Sequence, residues 1–154
     1  MEIQDILNEQ CVVTSLKATS KKQALSELAR LAAEKTGLPE REIFDVLLER
    51  ERLGTTGVGD GIAIPHGKLP DLDKLFGCFA RLETPVAFDS TDNQPVDLVF
   101  LLLAPESAGA DHLKALARIS RVLRDSLHCD KLRTAPGPDK IYALLTQAHQ
   151  HSAA

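Results

Sequence analysis

The apolar run at residues 96–104, Val-Asp-Leu-Val-Phe-Leu-Leu-Leu-Ala, constrains this chain more than any other segment. Only Asp97 interrupts it. It is far shorter than the roughly 20 apolar residues that cross a bilayer. A run of this length and composition reads as a strand buried on both faces. Such a strand needs neighbours in its own plane and a layer of other elements above and below it.

The rest of the chain supplies both. Residues 11–16, 61–64 and 75–82 read as further strands, and residues 85–88 as a short additional one. Ser20 followed three residues later by Gln23 is a capping-box pattern. Leu25, Leu28, Leu31 and Ala32 then repeat at helical spacing until Gly37 stops the run. Pro39 suits a second helix start. That helix carries Ile43, Phe44, Val46, Leu47 and Leu48 and ends at Gly54. A third helix opens near Asp111, a good N-cap, and shows Leu113, Leu116, Ile119, Val122, Leu123 and Leu127. A last helix around 139–148 carries Ile141, Leu144 and Leu145. Strands mixed with helices argue for α/β layering, with helices covering a central sheet. Three strand candidates follow one another between residues 61 and 104 with no helix between them, so some pairing is antiparallel and the sheet is mixed.

At 154 residues, with no linker and no internal repeat, the chain is expected to be one domain whose tail, residues 149–154, frays. Net charge is −4, and no basic run interleaves with aromatics, which excludes nucleic-acid binding through a basic stripe. The N-terminus, Met1-Glu2-Ile3-Gln4-Asp5, is acidic and lacks a signal core. The expectation is a soluble, cytoplasmic protein with no direct membrane insertion. Cys11, Cys78 and Cys129 are odd in number, far apart in sequence and without a C-x-x-C pair, and they read as reduced, mostly buried thiols.

One stretch, residues 50–68, carries the chemistry. It packs five of the nine glycines into fourteen residues, from Gly54 to Gly67. That density permits left-handed backbone and close approach of the main chain to something. It is not a P-loop, because no glycine-lysine-serine or threonine follows at the needed spacing. It does not fit the dinucleotide fingerprint either, since Gly57-x-Gly59-x-Gly61 precedes a strand and opens no helix. The strand at 61–64 stops at Pro65, and His66 follows, flanked by Gly67. A histidine there is expected to be exposed in a cleft. Arg50 lies three residues beyond Leu47 and four beyond Val46, on the inward arc of its helix, while Arg52 points to roughly the opposite side at about 100° per residue. On the residues alone, Arg50 suits either an anion, through its planar fork, or an ordinary pair with Glu49 or Glu51. His112, beside the expected helix start, is either a surface residue or a neutral imidazole placed where a helix dipole attracts anions. His128, His149 and His151 carry little signal.

Taken together, these residues resemble the active-site signature of the fructose/mannitol-type IIA family of the bacterial phosphotransferase system. The form Arg50-Glu51-Arg52-Leu53-Gly54-Thr55-Thr56-Gly57 followed by Pro65-His66-Gly67-Lys68 is most similar to the nitrogen-regulatory branch. The run at 96–106 followed by His112 fits the same pattern. The resemblance implies a single EIIA type-2 domain and an α/β sandwich with a mixed sheet and helices on both faces. It implies that His66 accepts a phosphoryl group on Nε2, that Arg50 contacts that group, and that His112 is the second active-site histidine. Thr55, Thr56 and Gly67 are expected to support the phosphate loop. Asp60 stands where asparagine is frequent, and it is expected to point outward, since a carboxylate beside the phosphate would weaken anion binding.

The implied donor is an HPr-like phosphocarrier (NPr), and the implied targets are proteins such as potassium-transport systems or sensor kinases. Lys68 and Leu69 are expected in the apolar, charge-ringed patch that meets the donor. The scheme requires no metal or cofactor. Other functions weighed are a phosphorylation-independent regulatory binding module and a sugar-specific IIA component. A metal-dependent hydrolase built on His66 and His112 is disfavoured, because no H-E-x-x-H or comparable ligand spacing exists.

Overall fold

A computed structural model describes the backbone of residues 1–153 and the side chains of residues 1–147. The tail expected to fray, with His149 and His151, lies outside the residues whose side chains are described. In chain order the elements are β1 (Leu7–Leu16), α1 (Lys21–Thr36), α2 (Glu40–Leu53), β2 (Gly57–Gly59), β3 (Ile62–Ala63), β4 (His66–Leu69), β5 (Phe76–Val86), β6 (Val96–Pro105), α3 (Ala110–Arg124), α4 (Ser126–Thr134) and α5 (Pro138–Ala153). One mixed sheet has the order β1-β5-β6-β3-β2. The strand β5 is antiparallel to β6 and parallel to β1, and β3 is parallel to β6 and antiparallel to β2.

The run at 96–104 is indeed the central strand. Its side chains alternate between two cores: Val99, Leu101 and Leu103 face one, and Leu98, Phe100 and Leu102 the other. The first core is roofed by α1 and α2 through Leu25, Leu28, Ile43 and Leu47. The second is closed by α3, α4 and α5 through Ile119, Leu132, Ile141 and Leu145. The α/β sandwich with helices on both faces is therefore the observed fold. Burying a side chain of this size stabilises the fold by about 1.5–3 kcal/mol, which is why the doubly covered strand organises everything else.

Several local expectations need correction. The chain does not leave the sheet at Pro65. Pro65 lacks an N–H, but its carbonyl accepts from the Leu102 amide at 2.9 Å, and a new strand, β4, starts at His66. Strands β3 and β4 thus lie end to end along one edge of β6, pairing with Leu98–Val99 and with Leu102–Pro105 respectively. The segments 75–82 and 85–88 are not separate strands; β5 runs through Pro85 to Val86, with a register shift after Arg81. The third helix ends at Arg124, because Asp125 turns extended and its carboxylate accepts from the Leu127 and His128 amides to cap α4. Leu127 consequently faces water instead of the core. Asp111 is not the N-cap of α3. Gly109 holds that place, and Asp111 sits in the first turn.

Candidate functional site

Three elements converge on His66. It opens β4, hydrogen-bonded along β6 opposite Leu102. The helix α2 lies close over β4 because Gly67 has no side chain: a Cβ there would fall 2.3 Å from Val46 Cγ1. Arg50 follows Val46 by one helical turn, so the same close approach that joins Val46 to Gly67 carries Arg50 onto His66. The Arg50 Nε–H donates to His66 Nε2 at 3.1 Å, and its Nη1 donates to the Gly54 carbonyl at 2.9 Å. Neither neighbouring carboxylate holds it: Glu49 pairs with Arg52, and Glu51 with Lys21.

The tautomer of His66 follows from its partners. Nδ1 lies 2.9 Å from the Ile64 carbonyl, which can only accept, so Nδ1 carries the proton. Nε2 faces an arginine donor, so it carries the lone pair. Burial pushes the His66 pKa below its ordinary 6.5; the Ile64 carbonyl pulls the other way, and the Arg50 charge adds to the lowering. The ring is therefore neutral at pH 7, with a lone pair directed at the guanidinium.

His112, in the first turn of α3, brings the opposite helical layer to the same point. The two imidazole rings are 5.5 Å apart, tilted by 50°. Burial chiefly lowers its pKa, helped by His66 and Lys68. Its Nε2 is buried and has no hydrogen-bond partner among the described residues. Two neutral imidazoles, a guanidinium and the first turn of a helix thus meet at one place, a set of groups suited to an anion.

The remaining site expectations are placed as follows. The Thr55 hydroxyl donates to the Phe88 carbonyl at 2.6 Å and accepts from the Gly57 amide at 3.0 Å. Buried Thr56 gives its hydroxyl to the Glu51 carboxylate. Both threonines thus anchor the loop between α2 and β2, with their hydroxyls occupied there instead of directed at His66. Asp60 is exposed at the β2–β3 turn, beside Asp97 at the start of β6, while His66 pairs near the end of that strand. Its carboxylate therefore does not charge the site. Lys68 is exposed, but Leu69 is fully buried and cannot meet a partner. The exposed leucines adjoining site residues in sequence are Leu53, 80% accessible, and Leu113, 67% accessible.

Sequence reasoning missed Glu51. Its side chain is only 5% exposed, binds Lys21 Nζ at 2.8 Å, and accepts from the Thr56 amide at 3.0 Å. It locks the glycine-rich loop against the end of α2 and draws the His66 pKa upward. In the sequence it lies among other charged residues of a helix end, with nothing to mark it as buried.

Fold and site together define a class: an α/β sandwich presenting a neutral histidine, braced by arginine, at the edge of its central sheet. The chain belongs to the family described as the phosphoenolpyruvate-dependent sugar phosphotransferase system, EIIA 2, which it matches over residues 5–148. It is 61% identical over 145 residues to a nitrogen regulatory protein of Bradyrhizobium diazoefficiens, covering 94% of this chain and 95% of that one. To the nitrogen regulatory protein of Escherichia coli K12 it is 42% identical over 147 residues, covering 95% and 90%. The crystal structure of nitrogen regulatory protein IIA-Ntr from Neisseria meningitidis superposes with a TM-score of 0.89 at 35% identity, covering 94% of this chain and 99% of that one. Among the described residues, no helix is long and apolar enough to cross a membrane.

Proposed function

We propose that this protein is a cytoplasmic phosphoryl-transfer component of a nitrogen-related phosphotransferase system, a single EIIA domain that accepts phosphate on His66 from an HPr-like carrier. Other proteins, such as potassium transporters or sensor kinases, would then be bound according to its phosphorylation state. The observation that carries this reading is the pair of bonds that fixes His66: Nδ1–H on the Ile64 carbonyl and the Nε2 lone pair facing Arg50.

In the transfer, the Nε2 lone pair of His66 forms a bond to phosphorus as the P–N bond of the carrier's phosphohistidine breaks. The released electron pair returns to the carrier's ring nitrogen. The proton stays on Nδ1 throughout, donated in a hydrogen bond to the Ile64 carbonyl, which stabilises the positive charge the ring acquires. Arg50 must let go of Nε2 for attack, and its fork then serves the phosphoryl oxygens, joined by His112. Such catalysis is mostly positioning and charge stabilisation.

The test is to mix phosphorylated carrier with this protein and read the intact mass. Wild type is expected to gain one acid-labile phosphate, and folded His66→Ala none. Normal labelling of His66→Ala would overturn the assignment. Capture of partners by His66→Ala and by His66→Glu tests the regulatory half. Identical partner sets would make the chain a phosphorylation-independent binding module.

A further inference from the structure

Two thiols distant in sequence meet in the sheet. Cys11 lies on β1 and Cys78 on β5, and their Sγ atoms are 2.6 Å apart. Both are reduced and almost wholly buried, 1% and 0% exposed. The parallel register pairs Val12 with Phe79 and Val13 with Ala80; Cys11 and Cys78 immediately precede the first of these pairs, at the edge of a register shift, and their sulfur contact brings them together there. Neighbouring strands run about 4.7–4.9 Å apart, inside the 4.4–6.8 Å between Cα atoms that a disulfide spans. The sulfurs already face each other in the core under α1 and α2.

We propose that Cys11 and Cys78 form a reversible intramolecular disulfide when the protein meets a small two-electron oxidant of the peroxide class. Access and reactivity both favour Cys11. It sits on β1, the edge strand of the sheet, which can open locally without disturbing the central strand β6. The contact between the two sulfurs draws the Cys11 pKa down, while the same contact and burial push Cys78 up. Cys129 differs: its thiol is turned to the Leu123 carbonyl, and burial raises it to about 11, so it is the inert internal control.

The chemistry balances. The Cys11 thiolate attacks one peroxide oxygen, the O–O bond breaks, and water leaves after protonation, giving a sulfenic acid. Cys78 then attacks the Cys11 sulfur, the S–O bond breaks, and a second water leaves. Two thiols and one hydrogen peroxide become one disulfide and two waters, and a dithiol reductant reverses the change. The bridge closes a loop that contains α1, α2 and β2 to β4, hence both Arg50 and His66. Closing so long a loop is expected to raise the melting temperature by roughly 5–15 °C.

The experiment treats the reduced, full-length protein with hydrogen peroxide, then alkylates the remaining thiols after denaturation. The expected product is lighter by two hydrogens before alkylation and carries one alkyl group, on Cys129. Its non-reducing peptide map joins the Cys11 and Cys78 peptides, and dithiothreitol reverses it. Cys129→Ser should form the same bridge, and Cys78→Ser should not. If Cys78→Ser fails to fold, Cys11→Ala takes its place, and the wild-type peptide map still reads the linkage. Alkylation of all three cysteines, oxidation confined to Cys129, or bridges only between chains would each overturn the proposal.

Discussion

Gly67→Ala is the substitution that most directly tests how the site is assembled. The added Cβ would stand 2.3 Å from Val46 Cγ1. Carbon atoms rest about 3.5–4.0 Å apart, so the two must separate by roughly 1.2–1.7 Å. Val46 is β-branched and has little rotamer freedom in a helix, so α2 has to move. The Arg50–His66 bond is 3.1 Å long, near the outer limit for such a contact, and a retreat of that size breaks it. Overpacking of this kind costs about 1–3 kcal/mol in stability. A misplacement of about 1 Å costs on the order of 100-fold in rate. The expected phenotype is therefore a folded protein, melting a few degrees lower, that accepts phosphate about 100-fold more slowly. Its His66 pKa, followed by imidazole NMR, should rise toward the ordinary value, because the Arg50 charge that depresses it has moved away. Val46→Ala removes the colliding methyl groups, so the double variant Val46→Ala/Gly67→Ala should recover most of the rate and the lowered pKa. A Gly67→Ala protein with wild-type rate and an unshifted His66 titration would refute the close-packing argument.

Other outcomes follow from the same geometry. Arg50→Met should slow phosphorylation by about 10²–10³-fold, the usual cost of losing one donor to a developing charge; single-turnover labelling measures it. Glu51→Ala should cost roughly 1–3 kcal/mol by leaving the Thr56 amide and hydroxyl without their acceptor, Lys21 keeping Asp89 and the Phe88 carbonyl; it should read as a lower denaturation midpoint and lower the His66 pKa further, since Glu51 now raises it. The two site histidines give stability a definite pH slope. Both have folded pKa values below the ordinary 6.5, so on acidification the unfolded chain takes up protons that the folded chain refuses. Stability should therefore decline as the pH falls from about 6.5 through the folded values, and urea titrations should find that slope reduced in His66→Gln/His112→Gln.

How much of this was legible in the sequence differs by element. The central strand was, because a doubly buried strand has no polar face to disguise it. So was the start of α1, where the Ser20 hydroxyl accepts from the Gln23 amide at 3.1 Å, although the Gln23 side chain returns to the Thr19 amide instead of the Ser20 one. The break between α3 and α4 was hidden, because apolar spacing continues through Val122, Leu123 and Leu127 while Asp125 quietly starts a new helix. The placement of Arg50 on the inward arc was readable from periodicity alone. Its bond to His66 was not, since that depends on the contact between Val46 and Gly67, which joins two elements. Likewise, no spacing rule could bring Cys11 to Cys78 or show the Glu51 carboxylate turned inward.

The end-to-end placement of β3 and β4 along one edge of β6 also governs how the site comes into being during synthesis. His66 leaves the ribosome well before residues 96–105, and until that strand arrives β4 has nothing to pair with. His112 comes later still. A nascent chain therefore carries the nucleophile, with Ile64 and Arg50 already made, before the strand that seats β4 and the helix that supplies the second imidazole. Such long-range strand pairing closes late in folding. Completion of β6 thus acts as a maturation step: only a finished molecule has a histidine ready to react.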